Sequence, residues 1–251
     1  MRRLLAGTAF LAASALPSFA EGLADMTDTE RAAFRAEVRA YLLENPEVLL
    51  EAMNELEARD QAAAMERDKA LVSQKADALF NDGASWVGGN PDGDITVVEF
   101  LDYRCGYCRK AWQEVDQLIA SDGNIRIIMK EFPILGEGSV LSSRFAIAVL
   151  QLHGAEAYKQ AHDALLSLRA DATPESLDRV AAELGLDAAA IRARMEAPEV
   201  TKVIEDNHRL AQEMEISGTP TFVVGGTMVR GYVPLEAMQQ IVAEQRKAQE
   251  G

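Results

Sequence analysis

The two cysteines of the 251-residue chain stand as Cys105-Gly106-Tyr107-Cys108, so all of its thiol chemistry is concentrated at one place. Two thiols separated by two residues on the first turn of a helix have their sulfurs within bonding distance, the first exposed and the second facing in. The first, as thiolate, attacks a disulfide to give a mixed disulfide, and the second releases the product by attacking the first. Two other uses of the pair remain open on spacing alone. A zinc site needs two further Cys or His ligands, and His153, His162 and His208 lie in a helical stretch without paired ligand spacing, where they read as solvated helix residues. A purely structural disulfide is the second. Neither a metal nor a cofactor beyond the redox-active Cys105–Cys108 pair is expected.

The flanking elements favour the redox use. Ile95-Thr96-Val97-Val98-Glu99-Phe100-Leu101 is β-branched and nearly continuous in apolar character, as a buried central strand should be. From Cys108 the pattern turns helical, with Ala111, Trp112, Val115, Leu118 and Ile119 on one face. Cys105 therefore sits at or just before a helix amino terminus, where unpaired amides and the helix dipole stabilise a thiolate. Ile125 to Lys130 predicts a second strand closed by Phe132-Pro133, and Ser85 to Val87 a short one. Residues 139–214 read as nearly all helix: Ser142 to Leu152, Ala155 to Leu168, Pro174 to Leu184 after Thr173 as cap, and Asp187 to His208 broken at Pro198. Then come Pro220 to Val224, a Gly225-Gly226 turn and Thr227 to Val229, followed by a helix from Pro234 to about Lys247. The expected class is α/β, a sheet domain over residues 81–251 with a helical insertion at about 139–214.

Ahead of that domain, residues 27–80 read as a helical arm and linker. Asp28 or Thr29 can cap a first helix carrying Phe34, Val38, Tyr41 and Leu42 at helical spacing. Asn45-Pro46 ends it and starts a second, because proline disfavours helix in the residue before it but suits a first helical turn. Leu49, Met53 and Leu56 continue the apolar stripe, whereas Glu57 to Lys69 is charged and Ala-rich and is expected to bury little against a core. One helix from Pro46 to Phe80 would span about 50 Å. Another copy of the chain is the natural cover for the stripe, although packing on the same chain is also compatible with it.

Charge and termini narrow the setting. Lys and Arg total 25 against 40 Asp and Glu, a net charge of −15, which excludes non-specific binding to nucleic acid. Arg2 and Arg3 precede an apolar run from Leu4 through Leu16 and then Pro17-Ser18-Phe19-Ala20. This is the pattern of a secretory signal over residues 1–20, shorter than a bilayer span. Cleavage would leave an exported, soluble, still more acidic chain with no membrane span.

The stretch Val98-Glu99-Phe100-Leu101-Asp102-Tyr103-Arg104-Cys105-Gly106-Tyr107-Cys108, with Gly218-Thr219-Pro220-Thr221 over one hundred residues later, resembles the thioredoxin-fold DsbA-like oxidoreductases of the bacterial periplasm. Tyr41-Leu42-Leu43-Glu44-Asn45-Pro46-Glu47-Val48-Leu49 resembles the N-terminal oligomerisation segment of the suppressor-of-copper-sensitivity C (ScsC) branch. The resemblance implies a thioredoxin fold with an inserted helical domain and an N-terminal oligomerisation arm. It also implies that Pro220 is cis and lies against the cysteines, where the backbone at Thr219 can bond an extended substrate. Glu99, six residues before Cys105, stands where these proteins keep a buried acid able to take the proton of Cys108. An edge-strand surface position is the other reading of Glu99.

DsbA itself carries Pro-His between its cysteines and Val before the proline, whereas Gly106-Tyr107 and Thr219 form the pairing familiar from the isomerase DsbC. A less depressed pKa for Cys105 and a weaker oxidant follow, partly opposed by the positive charge of Arg104. The leading expectation is a periplasmic protein disulfide isomerase, a homo-oligomer in which the polar rod lets the catalytic domains move. Its partners would be misfolded or newly exported proteins with disulfides and a membrane thiol redox protein. A dithiol oxidase, a Cu(I)-sequestering copper-tolerance protein and a chaperone with regulatory cysteines are the alternatives.

Overall fold

The computed structural model describes residues 26–250, so the signal segment at 1–20 lies outside the described residues. Two compact units divide at Asp60/Gln61, some twenty residues earlier than the composition break at residue 81 suggests.

The first unit holds α1 (Asp28–Glu44) and the start of α2 (Glu47–Gln74). Thr27, rather than Asp28 or Thr29, caps α1. Its side chain accepts from the Glu30 amide while the Glu30 carboxylate accepts from the Thr27 amide at 2.8 Å, a reciprocal capping box. The helix buries none of its residues, and Phe34, Val38, Tyr41, Leu43, Leu49, Leu50, Met53 and Leu56 are exposed.

The second unit is built on a five-stranded sheet in the order β1-β3-β2-β4-β5, with β1 Trp86–Gly89, β2 Ile95–Leu101, β3 Ile125–Glu131, β4 Thr221–Val224 and β5 Thr227–Arg230. The central β2 runs parallel to β3 and antiparallel to β4. Side chains alternate across a strand, so Ile95, Val97 and Leu101 enter one apolar cluster and Val98 and Phe100 another. The larger cluster is roofed by α4 (Gly106–Asp122), α5 (Glu137–Ser167), α6 (Pro174–Glu183), α7 (Ala188–Met195) and α9 (Leu235–Glu250). The smaller is covered by the end of α2, by α3 (Ala76–Phe80) and by α8 (Pro198–Glu213).

The chain segmentation follows its local signals. Gly123, left-handed at φ 71°, ends α4, and a Thr173–Ser176 capping box starts α6. Gly154, at φ 83°, interrupts α5 between the two helices read from sequence.

Glu57 to Lys69 buries none of its residues, as its composition predicts, and it is the segment just after it that docks. Lys75 breaks α2 from α3, and the turns beyond Lys69 bury within the second unit. Val72 and Leu79 enter the smaller cluster, and the Asp68 carboxylate grips the Arg230 guanidinium through two hydrogen bonds. Lys130, wholly buried, points to the same face and holds Asp82 at 2.6 Å and the Ala78 carbonyl at 2.8 Å. Two apolar residues and three ion pairs, the third from Lys75 to Glu213 of α8 at 2.6 Å, thus dock a segment whose composition is otherwise that of a solvated helix.

Candidate active site

Cys105 is the N-cap residue of α4, delivered there by the loop that leaves the carboxyl end of β2. That loop is pinned by Asp102, fully buried, whose carboxylate accepts from the amides of Arg104 (2.8 Å), Ile134 (2.8 Å) and Leu135 (3.0 Å) and from the Ser139 hydroxyl (2.8 Å). One side chain therefore fixes the cysteine loop, the turn after β3 and the start of α5 together.

Both thiols are free, and both are more enclosed than their spacing suggests: Cys105 is 8% exposed and Cys108 1%. The order of accessibility still puts Cys105 outside and Cys108 inside. The Cys105 thiol is lowered to about 5, chiefly by the hydrogen bond from Cys108. Burial opposes that shift, while the Thr219 side chain and the amides of Cys108 and Tyr107 support it. Cys108 is pushed far up by the same hydrogen bond, by burial and by the nearby Glu99. The pair is thus divided into a ready nucleophile and a thiol that must lose its proton to something else.

Thr219–Pro220 is a cis peptide, and the Thr219 carbonyl lies 3.1 Å from Cys105 Sγ. The Pro220 carbonyl accepts from the Gly231 amide at 2.9 Å, tying this corner to the end of β5. Glu99 is buried in the central strand, on the face that also carries Val97 and Leu101. Burial, then the charges of Asp116, Cys105 and Glu131, push its carboxyl up to about 8. The structure thus brings all five predicted residues, Cys105, Cys108, Thr219, Pro220 and Glu99, to one end of the sheet.

On the outer rim, Tyr107 is exposed and stacks on Tyr232 at 6.4 Å between ring centroids. Lys110 Nζ lies 4.0 Å from the centroid of the same Tyr232 ring, and Tyr232 donates to Glu114 at 2.7 Å. Arg104 pairs with Asp171 of the helical insertion at 2.9 Å.

One sequence reading is corrected. His162 is not a solvated helix residue: it is buried, with Nδ1 3.2 Å from the Tyr103 hydroxyl oxygen, and burial pushes its pKa down to about 3. His208 is half-buried against Phe132, and His153 is exposed. Tyr103, Glu131, Ser143 and Tyr158, which surround His162 or share its hydrogen bonds, went unnoticed in the sequence. The i, i+4 spacing of Tyr158 and His162 on one helix face was the available signal.

A reduced pair at a helix start, beside a cis-proline and over a buried acid on this sheet, defines a thioredoxin-fold protein of the thiol–disulfide class. Residues 96–243 match the DSBA-like thioredoxin domain, and the chain belongs to that family. Residues 30–63 match the copper resistance protein ScsC N-terminal domain. A thioredoxin-like oxidoreductase from Silicibacter pomeroyi DSS-3 is 45% identical, with a TM-score of 0.64, over 68% of this chain and 97% of that one. Proteus mirabilis ScsC in a transitional conformation is 26% identical, with a TM-score of 0.64, over 88% of this chain and 98% of that one. Na(+)/H(+) antiporter NhaA 3 of Salinispora tropica is 29% identical over 62% of this chain, and the match spans 24% of that antiporter's length. Among the described residues no helix is long and apolar enough to cross a membrane.

Proposed function

We propose that this chain is a periplasmic thiol–disulfide oxidoreductase that acts on protein disulfides as an isomerase and works as a homo-oligomer joined by its arm. The observation that carries the chemistry is the division of labour at the site: Cys105 held as a thiolate near neutral pH, with the protonated Cys108 beneath it.

In the first step the Cys105 thiolate attacks a substrate disulfide. A bond forms between Sγ and one substrate sulfur, the substrate S–S bond breaks, and the other sulfur leaves as thiolate. That thiolate can attack a second disulfide of the same substrate. A substrate thiolate then displaces Cys105, so the pairing changes with no net oxidation. If the substrate stalls, Cys108 attacks Sγ of Cys105, the trapped sulfur leaves as thiolate with the bonding electrons, and the Cys105–Cys108 disulfide forms. The proton of Cys108 passes to the ionised Glu99 carboxylate. An acid titrating at about 8 lies close enough to working pH both to take a proton and to give it up. The backbone at Thr219 and the Tyr107–Tyr232 rim would seat the substrate strand.

The arm supports the isomerase over the oxidase. Its exposed stripe of Phe34, Tyr41, Leu49, Met53 and Leu56 needs a cover that a second chain would provide, and paired catalytic units would face one partly folded substrate between them. Sequestration of Cu(I) is a second reading, favoured by the match of residues 30–63 to a copper resistance domain and by the affinity of soft thiolates for that ion.

The test is refolding of a disulfide-scrambled protein in a glutathione buffer, with mass measured by light scattering. Because Asp68 and Val72 belong to the catalytic unit, the arm deletion should end at Asp60. The protein lacking residues 26–60 is expected to be a monomer that still reacts with small disulfides but no longer rescues the scrambled substrate. Undiminished rescue by that monomer would refute the oligomeric isomerase. Loss of rescue from the full-length chain on adding Cu(I) at one equivalent per dithiol would support the second reading.

A further inference from the structure

Glu131 takes no part in the exchange just described, yet it is built into the site as deliberately as Glu99. It is 3% exposed, and its carboxylate accepts hydrogen bonds from the hydroxyls of Tyr103 (2.7 Å), Tyr158 (2.6 Å) and Ser143 (2.7 Å). Tyr103 belongs to the loop that leads into Cys105, and Ser143 and Tyr158 lie on the two halves of α5 on either side of Gly154. The Tyr103 carbonyl in turn accepts from Arg109 Nε, in the first turns of α4, at 2.9 Å. The Glu131 carbonyl accepts from Asn207 of α8 at 3.1 Å.

The register places the same carboxylate beside Glu99. Glu99 pairs with Met129 and Leu101 with Glu131, so Glu131 lies two residues beyond the partner of Glu99 and on the same face of the sheet. Strand spacing and rise put the two Cα atoms about 8 Å apart. Two acids from neighbouring strands thus share one interior beneath the dithiol.

We propose that Glu131 is a positioning residue for thiol exchange: it anchors Tyr103, and with it the loop presenting Cys105, and its charge sets the proton affinity of Glu99 across the β2–β3 pair. This rests on the reading of Cys105 and Cys108 as an exchange pair with Glu99 as proton acceptor. When Cys108 gives up its proton, the charge on Glu131 draws that proton onto Glu99. With a neutral residue in its place, Glu99 becomes a weaker base and the transfer becomes harder.

The electrostatics agree. Burial raises Glu131 to about 7, against the pull of the three hydroxyls, with the charge of Asp102 adding to the rise. Glu131 is therefore ionised before Glu99, which titrates at about 8 in its field and in those of Asp116 and Cys105. His162, held down at about 3 by burial and by the charge of Lys159, stays neutral and leaves the charge on Glu131 uncompensated.

The experiment uses the full-length exported protein. Ellman's reagent loads Cys105 as the mixed disulfide with 2-nitro-5-thiobenzoate, and the attack of Cys108 releases the coloured thiolate at a rate followed against pH. The wild type is expected to show an inflection near the Glu99 value of about 8. Glu131→Gln should lower that inflection by about 1.5 pH units, the shift for removing a unit charge about 8 Å away at an effective dielectric near 20. Tyr103→Phe, which removes one donor and so part of the charge on Glu131, should shift it the same way by less, and it decides the matter if Glu131→Gln does not fold. In a Glu99→Gln background, adding Glu131→Gln should leave the profile unchanged. An inflection unmoved in both single variants, with thermal midpoints lowered equally in oxidised and reduced protein, would show a merely structural role and overturn the proposal. A wild type that releases no thiobenzoate at any pH would overturn the exchange reading itself.

Discussion

The pH profile of Cys105 alkylation tests the site most directly. An ordinary cysteine with a pKa near 8.5 is about 3% thiolate at pH 7, whereas a thiol lowered to about 5 is about 99% ionised, roughly a 30-fold gain. Intrinsic nucleophilicity falls with basicity, at a Brønsted slope of about 0.4 to 0.5, which over about 3.5 units costs roughly 25- to 55-fold. At pH 7 the two effects cancel, and Cys105 should react with iodoacetamide about as fast as a free thiol. At pH 5 the balance changes: Cys105 is half ionised while the free thiol is ionised to about 0.03%, so Cys105 should react about 30- to 60-fold faster. The assay is the alkylation rate of reduced protein from pH 4 to 9 against glutathione, with Cys105→Ser subtracting any reaction at Cys108. The same pKa makes the reduced fold depend on pH. A group whose folded value is depressed contributes its full stability above its unfolded value, so that contribution is complete above about pH 8.5 and is lost as pH falls through about 5. A single inflection near 8.5, with no excess reactivity at pH 5, would refute the claim that the neighbours of Cys105 hold its thiolate.

The contributions of those neighbours can be separated. Cys108→Ala removes the largest of them and should raise the midpoint by about one unit, the worth of one charge-assisted bond from a weak thiol donor, read by the thiolate absorbance band. Thr219→Val should raise it by about half a unit in the same titration. Lys130→Met removes the buried cation held by Asp82 and the Ala78 carbonyl. It should cost about 3 kcal/mol in urea unfolding, since Asp82 keeps some contact with solvent. Its Cys105 alkylation profile should not move, because Lys130 points to the opposite face of the sheet.

The parts of this molecule legible in its sequence are those whose signal is local. The β-branched run of β2, the Gly225-Gly226 turn, and the Thr173 cap each announce their element within a few residues, and the structure has them there. Cys105 and Cys108 are legible because their spacing and their place before a helical pattern coincide. The surroundings of His162 are not, because Tyr103 reaches it from 59 positions away and Glu131 joins Tyr103 from 28 positions away, and no local pattern encodes either meeting. The docking of Val72 and Leu79 is hidden for a different reason: two apolar residues among charges do not make a stripe, and here two suffice because Lys130, Arg230, Arg126 and Glu213 add polar attachments.

The charged residues show what pattern reading misses in principle. Glu99, Asp102, Lys130 and Glu131 are all buried, against the rule that puts such residues outside. All four stand at or just past the carboxyl ends of β2 and β3, the end of a mixed sheet from which its ligands and reacting groups are presented. Alternation divides them into two uses. Glu99 and Glu131 face the cluster that contains Cys105 and Cys108, and Lys130 faces the cluster that receives α3. Asp102 lies just beyond the strand, where its carboxylate gathers the loop amides. A buried charge that only stabilised the fold would be replaceable by an apolar residue at little cost. Lys130 meets that description once its partner Asp82 is replaced with it, whereas Glu99 and Glu131 are held at about 8 and about 7, where a change of pH near neutrality changes their charge. Proton chemistry at the dithiol accounts for keeping two such groups beneath it, and the Glu131→Gln profile is where that account meets measurement.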